Sequence, residues 1–357
     1  MVGRRSGALH AALARVAPGT PLREGLHRIV QAKMGALVVI GDGPEVLNIC
    51  SGGFLLDASF SPQRLSELAK MDGAIIITAD ATRIARANVH LVPHPNVPTS
   101  ETGTRHRTAE RVARSIDVPV ISVSEDMGVI AVYAGETKHV LEEIPRLLNR
   151  ANQALQTLER YRARLDDVGG NLTALEVEDL VTVRDVVHVL QRSEMVRRIA
   201  EEIDQYVIEL GVDARLIQLQ LDEVMGDTED ERWSVLQDYC TRADECDIDD
   251  AVAELAALDT DDLLDPLVVA GVLRLPDGPV TLDRALTPRG FRLLTKLPRL
   301  PEHLIDAVVA KFGTLDRILR ASITDLDAID GMGETDAKTI RDGLTRLAES
   351  SILDRYI

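Results

Sequence analysis

The apolar residues of this chain change period near Lys138, and that change constrains the fold more than any single motif does. Upstream, from about Leu22 to Tyr133, short runs rich in branched residues recur at Ala36–Ile40, Val46–Cys50, Ala74–Thr78, Val118–Ser122 and Val129–Tyr133. Such runs, bounded by turn signals, read as strands. Gly41-Asp42-Gly43, Gly52-Gly53 and Pro93-His94-Pro95 supply turns, and Arg64–Lys70 has helical character. The pattern predicts an α/β domain; the expected architecture is a mixed sheet flanked by helices.

Downstream the spacing becomes three or four residues. Ile144, Leu148, Ala151, Leu155, Leu158, Tyr161 and Leu165 form one stripe. Leu180, Val183, Val187 and Leu190, continued by Val196, Ile199, Ile203 and Val207, form another. These amphipathic helices need a partner surface, within the chain or on another chain. The last stretch is again different. Leu300–Leu304, Phe312-Gly313, Leu315–Leu319, Leu326, Ile329, Gly331-Met332-Gly333, Ala337 and Ile340 read as short helices joined by glycine-bearing hairpins. With 357 residues there is room for two or three cores. The expected division is 1–140, 141–290 and 291–357.

Charge narrows the choice of partners. A net charge of −18 excludes coating nucleic acid by bulk attraction, so any DNA contact must be local. Between Asp227 and Asp265 lie 15 acidic residues against Arg232 and Arg242, which reads as a solvated surface or an acidic docking face. The stretch from Pro276 to Gly290 reads as a linker or turn. Cys50, Cys240 and Cys246 lack CxxC spacing and are odd in number, which argues against a disulfide framework and a zinc ribbon. No apolar run approaches the roughly 18 residues of a membrane span. A cytoplasmic protein with no membrane partner is expected.

Two segments carry chemistry. Gly103-Thr104-Arg105-His106-Arg107-Thr108-Ala109-Glu110-Arg111 places two guanidiniums around an imidazole at what reads as a helix start, with Thr104 a candidate N-cap. Helix N-termini present unpaired N–H groups to phosphate, and the arginines add full charges. A surface helix whose arginines are answered by Glu101 and Glu110 explains the same spacing. Asp72-Gly73-Ala74 puts a carboxylate at a helix-to-strand turn, with two small residues leaving room beside it. No GxxxxGK[ST] loop occurs, so this is not a P-loop site. His90 and His94 are four apart, but Pro93 and Pro95 break any helix, and they read as loop or turn histidines. Ser124 follows a strand and could reach a phosphate. At the end of the chain, Gly331 and Gly333 would let a turn approach a phosphate backbone, with Lys338, Arg341 and Arg346 on the next helix as a basic edge. From Pro298 onward 8 basic residues face 11 acidic ones, and such hairpins also serve purely to pack helices.

Taken together, Met71-Asp72-Gly73-Ala74, the segment Gly103–Arg111, Arg299-Leu300-Pro301, Phe312-Gly313-Thr314-Leu315 and Gly331-Met332-Gly333 resemble the signatures of the DisA family of bacterial diadenylate cyclases over nearly the full length. The resemblance implies a cyclase domain, an all-α spine and a C-terminal helix-hairpin-helix domain. It implies catalysis by Asp72, Arg105, His106 and Arg107. Nucleotide contacts would come from Gly73, Ala74, Leu91, Thr104, Arg105, His106, Arg107, Thr108 and Ser124, with Asp72 also meeting Mg²⁺ or Mn²⁺. Gly331, Gly333, Lys338 and Arg341 would contact DNA. The implied partners are ATP, branched DNA such as Holliday junctions, and seven further copies in a homo-octamer, nucleoid-associated when DNA-bound. The competing class is a DNA-binding or architectural protein whose nucleotide site senses without catalysing.

Overall fold

The computed structural model describes residues 2–226, 231–240, 247–275, 281–298 and 300–354. The chain divides into two compact units, residues 1–155 with 202–221, and residues 156–201 with 222–357.

The first unit opens with α1 (Val2–Val16), α2 (Pro21–Gln31), β1 (Ala36–Ile40), α3 (Pro44–Asn48), β2 (Cys50–Ser51), β3 (Phe54–Ser59) and α4 (Pro62–Leu68). It continues with β4 (Ala74–Ile77), β5 (Arg83–Leu91), α5 (Thr104–Ile116), β6 (Val120–Val123), β7 (Ile130–Ala134) and β8 (Thr137–Val140). The strands lie in the order β2-β5-β4-β1-β6-β7-β8, with β3 also against β5. β1 and β4 are parallel and the other pairs antiparallel, so the sheet is mixed as expected.

β1, β4, β6 and β7 are buried along their whole length, which is why they read as unbroken apolar runs: both faces are covered. Val38, Ile40, Ile75, Ile77 and Ile121 pack on one face with Leu13, Leu26, Ile29 and Leu65 of α1, α2 and α4. Leu37, Val39, Ala74, Ile76 and Val120 pack on the other with Ala109, Val112 and Ala113 of α5. The alternation along β1 thus separates two cores one residue apart.

The run Val46–Cys50, expected as a strand, is a correction. Gly43 caps α3 and Pro44 occupies its first turn, where a fixed φ favours a helix, and only Cys50-Ser51 pairs in the sheet. His90 is likewise not a loop residue; it sits in β5 opposite Ser51. β3 and β5 escaped the apolar pattern because β3 is largely exposed and β5 carries Arg83, Arg86, Asn88 and His90.

The predicted long helices are α6 (Ile144–Glu178) and α7 (Val183–Leu210), and the border between the units falls within both. Leu180 is exposed in the connection between them rather than on a buried stripe. A 3-10 turn and α8 (Arg215–Met225) follow.

The second unit continues with α9 (Glu231–Tyr239), α10 (Ile248–Ala257), α11 (Thr260–Leu264), α12 (Pro266–Val272) and α13 (Phe291–Thr295). It ends with α14 (Glu302–Phe312), α15 (Leu315–Arg320), α16 (Ile323–Asp327) and α17 (Glu334–Asp354). Leu293, Leu297, Ile305, Val308, Ile318, Leu326, Ile340 and Leu344 form the core of the last five helices. In the described part of the acidic segment the carboxylates from Asp247 to Asp265 are exposed, as a solvated surface requires, whereas Asp238 is buried. In α9, Val235, Leu236, Asp238 and Tyr239 are buried, while Asp247, Asp259 and Asp265 cap α10, α11 and α12 through their side chains. Residues 227–230 and 241–246 of that segment lie outside the described residues.

The described part of the expected linker is not free. Val183 and Arg184 donate backbone bonds to Arg284 and Leu282, and Gly290, Phe291 and Arg292 donate their N–H groups to Asp238 at 2.6, 2.8 and 2.8 Å. Arg292 is fully buried, with Nη2 bonded at 2.6 Å to Glu176 Oε2 and at 2.6 Å to Thr173 Oγ1, while Tyr239 donates to Glu176 at 2.8 Å. Cys240 is disulfide-bonded and Cys50 is free. Cys246 lies outside the described residues.

Candidate active site

Sheet register assembles the site. β1 and β4 are parallel with Leu37 opposite Ala74, and β6 runs antiparallel to β1 with Val123 opposite Ala36. The starts of β1 and β4 and the end of β6 therefore meet at one edge of the sheet. Gly35, Asp72-Gly73 and Ser124-Glu125 gather there although they are far apart in sequence.

α5 reaches the same edge. Its N-cap is Gly103 and no side chain caps it; Thr104 is the first helical residue, not the cap expected of it. The first-turn N–H groups are thus left without side-chain acceptors, which suits an anion. Thr108 turns its hydroxyl inward, donating to the Thr104 carbonyl at 3.0 Å.

Arg105 stands between two carboxylates, 3.6 Å from Asp72 Oδ1 and 3.5 Å from Glu125 Oε2. These are charge contacts longer than ordinary hydrogen bonds, so the guanidinium keeps its donors for a ligand. Its path runs over Gly35, where an added Cβ would collide with the guanidinium. Arg107 is exposed, with no ion pair or side-chain hydrogen bond among the described residues. Among the described residues, the alternative's pairing of Arg105 and Arg107 with Glu101 and Glu110 does not form. Glu101 binds Lys138 at 2.6 Å, and Glu110 binds Ser100 and Arg114.

Asp72 is 97% exposed at the tip of its turn. Gly73 has φ +156°, and a Cβ there would lie 2.8 Å from the Asn88 backbone of β5, so its small size serves strand packing as well as access. Ala74 and Leu91 are buried in the core beneath α5. Ser124 is half-buried, its Oγ accepting from Met127 N–H at 3.4 Å.

His106 is fixed from below. Its Nδ1 lies 2.9 Å from the Tyr133 hydroxyl, which donates to Glu101 Oε1 at 3.2 Å. Burial lowers the imidazole pKa, Glu101 opposes this, and Lys138 and Arg105 reinforce it. Neither Gly35 nor Tyr133 could be found from local sequence, because strand register brings them to the site.

Among the described residues no group of three His, Cys, Asp or Glu side chains could hold a metal ion. A single exposed carboxylate combined with substrate phosphates is nonetheless a common donor set for a hard divalent cation. Asp72 fits a metal that arrives with a nucleotide.

A mixed α/β domain that brings two exposed carboxylates, an open helix start and two arginines to one end of its sheet has the features of a nucleotide-binding domain. Residues 23–138 match the DisA bacterial checkpoint controller nucleotide-binding family, and residues 141–281 match the DisA bacterial checkpoint controller linker region. The chain is 55% identical to the DNA integrity scanning protein DisA of Frankia alni over 97% of both chains. It is 52% identical to that of Streptomyces coelicolor over 98% of this chain and 95% of the relative. The chain belongs to the DisA family of diadenylate cyclases. The solved DacA of Staphylococcus aureus overlaps 37% of this chain and 87% of its own at 24% identity, with a TM-score of 0.30, too low to add to the assignment. Among the described residues no helix is long and apolar enough to cross a membrane.

Proposed function

We propose that the chain condenses two ATP molecules into cyclic di-3′,5′-AMP and two pyrophosphates, at a site completed by a second protomer. The observation that carries this reading is the set of Arg105, His106 and Arg107 at a helix start without a side-chain cap, beside the exposed carboxylate of Asp72. In each half-reaction a ribose 3′-oxygen forms a bond to the α-phosphorus of the other nucleotide, the bond from that phosphorus to the β-phosphate oxygen breaks, and the hydroxyl proton is lost. One set holds one ATP, so two protomers must face each other. Arg105 and Arg107 hold phosphate oxygens, and α5 adds its N–H groups; Thr104, Thr108 and Ser124 add hydroxyl contacts, while Gly73, Ala74 and Leu91 shape the nucleotide cleft. Asp72 approaches the ribose hydroxyl and the metal. Bound Mg²⁺ or Mn²⁺ supplies charge neutralisation on the phosphates.

Incubation with ATP and Mg²⁺ or Mn²⁺, followed by mass analysis, tests the reading. Cyclic di-AMP is expected from the native chain and its loss from Asp72→Asn; unchanged ATP from a folded native chain favours a sensor without catalysis. The further proposal is a division at 1–140, 141–290 and 291–357. The last segment would be a helix-hairpin-helix domain gripping branched DNA through Gly331, Gly333 and Lys338, in a homo-octamer. Gly331 at φ +83° suits the hairpin, and Arg341, which donates to the carbonyls of Leu319 and Ala321 at the end of α15, would add a further DNA contact. Undiminished four-way-junction binding after disruption of this hairpin would move the DNA contact elsewhere.

A further inference from the structure

We propose that Tyr133 is a positioning residue of the nucleotide site, orienting His106 and deciding which of its ring nitrogens meets the ligand. Proton accounting supports this. Lys138 and the Tyr133 hydroxyl both donate to Glu101 Oε1, at 2.6 and 3.2 Å. A tyrosine hydroxyl has one proton, so toward His106 its oxygen can only accept, and Nδ1, 2.9 Å away, must be the protonated nitrogen. Nε2 is left as the nitrogen whose proton comes and goes with pH and ligand.

The relay is built into the sheet. Tyr133 is 1% exposed near the end of β7, where its neighbours are aliphatic, and the β7–β8 register places Lys138 opposite it. Glu101 is held through its backbone N–H by Thr99, and Thr99 and Ser100 are pinned in turn by Glu110. The charged and titratable groups around the ring are Arg105 on its own helix, Glu101 on the preceding loop, and Tyr133 and Lys138 on the strands. A phosphate oxygen can bind Nε2 only when that atom is protonated, so nucleotide binding at this ring takes up a proton. Removing the Tyr133 oxygen takes an acceptor from the imidazolium and moves its titration to lower pH.

The catalytic part of this inference rests on the cyclase reading; the binding part does not. The test measures affinity for 3′-deoxyATP, which binds without cyclising, from pH 5.5 to 8.5 in the full chain. In the native protein affinity should fall as pH rises through the His106 titration. In Tyr133→Phe, which keeps the ring, that fall should move to lower pH by about one unit, and cyclic di-AMP formation should drop about 10- to 100-fold. The difference between the two pH profiles should vanish in a His106→Gln background. Superimposable profiles for the native chain and Tyr133→Phe, or a shift that persists without His106, would overturn the proposal. A native chain that shows the pH-dependent binding and its Tyr133 shift yet makes no product would defeat the cyclase reading while supporting the positioning role.

Discussion

Two residues at the sheet edge act by what they lack. At Gly73 the absent side chain lets the Asp72 turn lie against the Asn88 backbone at positive φ. Gly73→Ala should therefore cost about 1–3 kcal/mol in denaturant unfolding, from strain and a forced shift of β5; a change within about 0.5 kcal/mol would show that the strand yields freely. Gly35 leaves the path along which Arg105 reaches Asp72 and Glu125. At this scale the proposed phosphate grip could be framed from the sequence because Arg105, His106 and Arg107 are adjacent. The glycine and the tyrosine that complete it could not be, since nothing near them in the chain betrays which strand will lie beside them.

Secondary elements were legible where burial was complete. β1, β4, β6 and β7 announce themselves as apolar runs because helices cover both faces, whereas the exposed β3 and the arginine-bearing β5 lack that signature. The acidic segment is a solvated surface at its capping aspartates, but composition does not show that each of them also satisfies the start of a helix. Asp259→Ala should lower stability by about 1 kcal/mol, read from the unfolding midpoint. Another contact ties β8 to α7. The hydrogen bond to Glu209 at 2.7 Å raises the His139 pKa above its ordinary value, against the opposing effect of burial. Its stabilisation is full below the unfolded-state value of about 6.5 and is lost as pH rises through the elevated one. His139→Gln should flatten this part of the pH dependence of thermal unfolding, and an unchanged slope would remove the contact from the account.

At the scale of the whole molecule, the change of period and the border between the compact units fall at different places. The change of period near Lys138 marks where strands give way to helices, but the compact units divide inside α6 and α7, because a long helix carries one continuous pattern whatever packs on it. Within the second unit, Arg292 holds Glu176 of α6 and Glu231 of α9, and Asp238 holds the start of α13. Arg292→Met should cost about 3–5 kcal/mol, because it strands the Glu176 carboxylate in the interior; equilibrium unfolding that matches the native chain would show that water reaches that carboxylate. A cut at Pro298 would also uncover Leu293, Leu294 and Leu297, which belong to the core of the helices beyond. The same anchoring sets a rule for recombining this chain with its relatives. A chimera joined near Gly290 inherits a lock from one parent and a key from the other, so Glu176, Asp238 and Arg292 have to travel together.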